Sequence, residues 1–256
     1  MRTVFLLLLA ASFCFVYSTM SHAGTWKTES AGGFSTVHVY APDAKSPVGD
    51  GRSLMINLHG CTQTAAALKG ANWDDVADEY GMVVALPEAQ FKQGFACWGY
   101  WTGGISRTNG DYANVINLAK ALIARSSLDI DPNQVYVSGL SSGGAFAMTV
   151  GCLAPDIFAG MGLDAAPSIG TSSGESMGVK GSSVTQTAQR CRNAAGSYAS
   201  HFDTQITSTG YGTGDYLVHT GYGLQNAEAM ASIYGSTKLS GTTSLSGGSG
   251  ANETSW

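Results

Sequence analysis

The stretch Val135-Tyr136-Val137-Ser138-Gly139-Leu140-Ser141-Ser142-Gly143-Gly144-Ala145-Phe146-Ala147-Met148-Thr149-Val150 joins a β-rich run to an apolar helical run. Between them, Gly139 to Gly143 fit the pattern G-x-S-x-G. In such an elbow the chain must leave a strand and enter a helix within one sharp turn. Glycines flanking the serine let the backbone fold back without a Cβ clash and leave the hydroxyl at the apex. The pattern alone is weak in a chain with 34 glycines, and Gly170-Thr171-Ser172-Ser173-Gly174 fits it too. That second match has no strand before it and no apolar helix after it, so Ser172 reads as loop. Context selects Ser141 as the candidate nucleophile.

Working outward, strand and helix signals alternate. Thr36 to Tyr40 and Leu54 to Leu58 read as strands, the second apolar at nearly every position, as in a strand buried on both faces. Asn72 to Tyr80 reads as a helix, and Met82 to Leu86 as a strand stopped by Pro87. Asp111 to Arg125 is the clearest helix: Tyr112, Val115, Ile116, Ala119, Leu122 and Ile123 recur at helical spacing, with an acid at the start and a base at the end. Val135 to Ser138 is the next strand, then a helix over Gly143 to Leu153, a strand over Phe158 to Leu163, and a last helix over Leu224 to Tyr234. This order predicts an α/β fold, a mostly parallel sheet with helices on both faces. Ser244 to Ala251 is the only linker-like stretch.

Composition narrows the function. Of 256 residues, 44% are hydrophobic and 12% charged, which fits one globular domain and not a disordered chain. With 13 basic against 18 acidic residues the formal charge is -5, so no cationic surplus is available for phosphates and no nucleic-acid partner is expected. At the N-terminus, Arg2, the apolar run from Val4 to Ala11 and the small-x-small end Ser21-His22-Ala23 read as a secretory signal peptide over 1–23. The run is too short to span a bilayer, so no membrane association is expected after cleavage. The mature domain would cover 24–256. Cys14 leaves with the signal, and Cys61, Cys97, Cys152 and Cys191 remain, an even number in an oxidising compartment. Cys61 with Cys97 and Cys152 with Cys191 are the expected disulfides, because each joins segments adjacent in the inferred order. None is spaced as a metal-binding pair, and no metal or cofactor is expected.

The rest of a serine-hydrolase site follows by position. Leu58-His59-Gly60-Cys61 ends the first buried strand, where this architecture places one oxyanion N–H; the other comes from the residue after the nucleophile, Ser142. His59, upstream of the serine, reads as a residue shaping that loop and not as the base. The acid and the histidine should both follow Ser141. Asp156, Asp164, Glu175, Asp203, Asp215, Glu228 and Glu253 are the acids available, and Asp215 stands out after the glycine-rich loop Gly210-Tyr211-Gly212-Thr213-Gly214. Asp156, after Pro155, reads as a turn cap, and Glu228 lies on a helix face. His201 and His219 are the only later histidines, and neither has its own loop after a further strand. Trp98, Tyr100 and Trp101 are candidates for an apolar substrate platform, or for packing beside the Cys97 disulfide.

The loop LHGC, the segment from Ala71-Asn72-Trp73 to Pro87-Glu88-Ala89, the cluster Cys97-Trp98-Gly99-Tyr100-Trp101, the elbow GLSSGG and the stretch Cys152 to Gly160 together resemble the catalytic domain of extracellular poly(3-hydroxybutyrate) depolymerases. The resemblance runs over essentially the whole mature chain. It implies an α/β-hydrolase fold, Ser141 as nucleophile, Asp215 as the triad acid, backbone donors at Cys61 and Ser142, and a polyester substrate. In that family the histidine sits in a Gly-x-x-His-Ala-Trp-like motif, which this sequence does not contain. The expectation is therefore a domain lacking its last strand and histidine loop, and a poor esterase as written. The functional expectation is a secreted, monomeric serine esterase of short-chain polyhydroxyalkanoates. A feruloyl or acetylxylan esterase, or a catalytically silent polymer-binding remnant, are the alternatives.

Overall fold

The structure, a computed structural model, describes residues 24–178, 181–244, 252–253 and 255. The expected signal peptide and nearly all of the linker-like stretch lie outside the described residues. Seven strands form one sheet: β1 (Lys27–Ala31), β2 (Phe34–Tyr40), β3 (Arg52–Leu58), β4 (Met82–Pro87), β5 (Ile130–Leu140), β6 (Gly160–Asp164) and β7 (Ile206–Gly210). Their order is β1-β2-β4-β3-β5-β6-β7. β1 and β2 enter antiparallel, and every pairing from β4 to β7 is parallel.

The helices are α1 (Ala65–Leu68), α2 (Trp73–Tyr80), α3 (Gly110–Ile123), α4 (Ser142–Leu153), α5 (Ser173–Met177), α6 (Val184–Ala195) and α7 (Gly221–Tyr234). Side chains alternate between the faces of a strand, and β4 shows this division of the core. Val84 and Leu86 join Tyr40, Ala65 and Ala77 beneath α1 and α2. Val83 and Ala85 join the larger core of Leu54, Ile56 and Leu58 with Val115 of α3 and Phe146 of α4. Helices thus cover both faces, as a parallel sheet requires.

The expected disulfides are both present. Cys61 bonds Cys97, and Cys152 at the end of α4 bonds Cys191 of α6. Several boundaries move. The strand expected over Phe158 to Leu163 is β6, starting at Gly160; Phe158 is fully buried in the preceding turn, bonding Ala154, and the ladder with β5 begins at Tyr136 opposite Gly160. β5 starts at Ile130, well before Val135, with a register shift against β3 where Asp131-Pro132 interrupt the ladder. β1, β7 and α6 carry too few apolar residues to be read from periodicity, and α7 opens at Gly221 ahead of Leu224.

Candidate active site

The elbow joins β5 to α4 at Ser141, whose φ of 55° and ψ of -116° lie where L-residues rarely go. Surrounding contacts hold it there. Its N–H donates to the Asp164 carbonyl at 2.8 Å, and its carbonyl receives the Ala145 N–H at 2.9 Å. The glycines are required by close approach: a Cβ on Gly139 would lie 2.4 Å from the Gly143 carbonyl carbon, and one on Gly144 would lie 2.7 Å from the Gly139 oxygen. Ser141 is half-buried at the tip. Ser142 follows as the first residue of α4, where backbone N–H groups have no partner within the helix.

The loop after β3 packs directly against this turn. A Cβ on Gly60 would lie 3.4 Å from the Leu140 carbonyl oxygen, and one on Gly143 would lie 2.5 Å from that of His59. The structure therefore brings the segments carrying Cys61 and Ser142 together. Among the described residues the Cys61 N–H has no hydrogen-bond partner, whereas its neighbours Gly60 and Thr62 are both paired.

His59 is fully buried. Its Nδ1 donates to the Gly60 carbonyl at 2.9 Å, which leaves Nε2 to accept the Ala89 N–H at 3.4 Å. Burial lowers its pKa, outweighing the Gly60 carbonyl and the nearby Glu88 carboxylate, so the ring is held neutral. It shapes the loop, as the sequence position suggested. Glu88 braces the same region: its Oε2 receives the Ala65 N–H at 2.6 Å and its Oε1 lies 2.5 Å from Lys92 Nζ. Burial would raise the Glu88 pKa, but the Lys92 and Ala65 hydrogen bonds prevail and lower it.

Asp215 lies in the loop after β7. Gly210, the last residue of β7, pairs with Asp164, which in turn pairs with Leu140, so this loop leaves the sheet at the same end as the elbow. Its Oδ1 receives the N–H groups of Leu217 and Val218 at 2.9 and 3.0 Å. No described histidine hydrogen-bonds Ser141. His219 is exposed and accepts the Gly221 N–H on Nδ1, and His201 is exposed on a short 3-10 helix.

Other expectations need correction. Trp98 is fully buried, its ring packed in the core against Phe34, His59 and Phe146, and so offers no exposed surface to a polymer chain. Tyr100 is buried too and bonds Ser176 at 2.6 Å, while Trp101 is half-buried with its ring edge-on to Tyr100 at 4.7 Å. Asp156 does not cap a turn but forms a two-pronged ion pair with Arg107, at 2.6 and 2.9 Å. Ser172 sits in extended backbone as the N-cap of α5, closing a capping box with Glu175. Gln63 and Glu88 were not legible as parts of the site; for Glu88 the sequence offers only Lys92 four residues on.

The family described as "Esterase PHB depolymerase" matches residues 38–213. A poly(3-hydroxybutyrate) depolymerase of Ralstonia pickettii is 42% identical over 236 residues, covering 88% of this chain and 48% of that protein. A poly(3-hydroxyalkanoate) depolymerase C of Paucimonas lemoignei is 34% identical over 109 residues, covering 42% of this chain and 26% of that protein. The chain thus spans half or less of the length of these relatives. Among solved structures, an acetyl xylan esterase from Aspergillus awamori superposes with a TM-score of 0.72 at 17% identity, over 91% of this chain and 89% of that one. At that identity the likeness establishes the α/β-hydrolase fold.

Proposed function

The chain belongs to the PHB depolymerase family of esterases, and from that premise we propose that it carries the catalytic domain of a secreted serine esterase cleaving short-chain polyhydroxyalkanoates. The observation that carries the reading is the open Cys61 N–H beside the strained Ser141 elbow. Ser141 attacks the ester carbonyl, and the tetrahedral oxyanion is received by the Cys61 and Ser142 N–H groups. Asp215 holds the histidine that takes the serine proton and returns it to the leaving alcohol. No described histidine hydrogen-bonds Ser141, and the base is not assigned to any of them. The two disulfides support an oxidising, extracellular setting.

The test is substrate preference of the full-length protein. Soluble hydroxyacid oligomers should appear from a poly(3-hydroxybutyrate) film, with little acetate from acetylated xylan or ferulate from its methyl ester. The reverse preference would place the chain with polysaccharide esterases, and binding to granules without turnover would make it a binding module.

A further inference from the structure

We propose that Gln63 is a positioning residue for the oxyanion loop: its side-chain carbonyl fixes the turn that leaves the Cys61 N–H as the open donor. The inference rests on the reading of the site given above and extends it to a residue outside the serine, acid and donor set.

The Gly60 N–H donates to Gln63 Oε1 at 2.8 Å. The Gly60 carbonyl receives the Gln63 N–H at 3.4 Å and His59 Nδ1 at 2.9 Å. The Thr62 N–H donates to the Phe95 carbonyl at 2.7 Å, and the Cys61 carbonyl receives Thr62 Oγ1 at 2.6 Å. Across residues 60–63 that leaves one N–H without a partner among the described residues, that of Cys61. Thr62 at a φ of 61° takes the left-handed conformation that reverses the chain here.

Two anchors hold Cys61 from its C-terminal side, the disulfide to Cys97 and the Thr62 bond to Phe95. On the N-terminal side the Gly60 carbonyl, in the same peptide as the Cys61 N–H, is held by His59 and the Gln63 N–H, and one peptide earlier the Gln63 side chain alone ties down the Gly60 N–H. An unpaired N–H turns to find a partner. Rotating the His59–Gly60 peptide changes the backbone angles at Gly60, which carries the next peptide, and so alters the aim of the Cys61 amide. Oxyanion stabilisation is steep in geometry, so a small rotation is enough to slow the reaction.

Gln63→Met in the full-length protein removes the acceptor and keeps side-chain length. With a soluble short-chain aryl ester, kcat should fall about 10- to 100-fold, below the 10² to 10³ that loss of a whole donor costs, while KM stays within about twofold. Deuterium exchange supplies a readout that a loosened loop would not give: the Gly60 amide should exchange at least about tenfold faster, while the Thr62 amide is unchanged, since only the Gly60 bond is removed. Unchanged kcat, or equal acceleration at both amides, overturns the proposal. Ser141→Ala, measured alongside, separates the two claims: hydrolysis surviving in it would sink the assignment of the site itself, whereas a silent Gln63→Met beside a dead Ser141→Ala sinks only the role of Gln63.

Discussion

Gly143 packs so closely on His59 that a Cβ at Gly143 would stand 2.5 Å from the His59 carbonyl oxygen, and 2.3 Å from that of Leu58. This contact joins the first turn of the elbow helix to the loop after β3, and so sets the distance between the Ser142 and Cys61 amides. Both obstructing atoms belong to backbone, which cannot turn aside as a side chain can. Gly143→Ala should therefore cost stability by about 1 to 3 kcal/mol through overpacking, and lower esterase turnover at least about 100-fold by forcing the donors apart. Denaturant melts and kinetics on a soluble ester check both numbers.

Replacing Ser141 separates activity from strain. Ser141→Ala and Ser141→Gly should both abolish hydrolysis, since the attacking oxygen is gone. Stability should distinguish them. The backbone at φ 55° and ψ -116° strains any residue with a Cβ, so the glycine variant should be more stable than the alanine one by about 1 kcal/mol. Equal melting temperatures for the two variants would mean that the elbow stores no strain.

The Cys61–Cys97 disulfide closes a loop of separation 36 and ends on Cys61, the proposed oxyanion donor. Cys97→Ser should lower stability by about 2 to 4 kcal/mol, and it should reduce kcat more than it raises KM, because the Cys61 amide loses an anchor. The Cys152–Cys191 bond lies between α4 and α6, and its loss should affect stability with little change in kcat near the folded baseline.

The elbow and the central strands were legible because each is fixed by local pattern: β3 and β4 are apolar runs, and Ser141 stands between a strand and a helix of buried residues; the disulfide pairing followed from the order of the segments. β7 was not, because Ile206-Thr207-Ser208-Thr209-Gly210 is an outer strand among the described residues, with Ile206 64% exposed, and needs no apolar face. α6 is polar along most of its length; the capping box formed by Ser183 and Gln186 was the signal that could have found it. Trp98 could not be assigned from sequence because an aromatic cluster beside a cysteine looks the same whether it faces substrate or Phe146. Gln63 acts through one side-chain bond within a turn, and spacing carries no trace of that.

Acid should weaken the fold through His59 and Glu88 together. His59 is held neutral when folded by burial, while in the unfolded chain it titrates near 6.5. As pH falls below 6.5 the unfolded state gains a proton that the folded state refuses, so stability drops until the lower folded pKa is reached. Glu88 has its folded pKa lowered, so its contribution is present above the unfolded value near 4.5 and is lost as pH falls through the folded one. Unfolding free energy should decline from pH 7 toward 4, by at most about 1.4 kcal/mol per pH unit for each group. His59→Asn should be less stable at pH 7 yet show a shallower decline just below pH 6.5, with His38, whose pKa burial also lowers, supplying the remaining slope. An unchanged slope in the variant would show that His59 is not held neutral.

The most direct test of the central claim is covalent mapping of the nucleophile. The full-length protein is treated with a fluorophosphonate, digested and sequenced by mass spectrometry. Ser141 should be the one phosphonylated serine, appearing in step with loss of polyester hydrolysis, with Ser172 unmodified. Inactivation with the label on any other residue, or full hydrolysis after Ser141 is labelled, would contradict it.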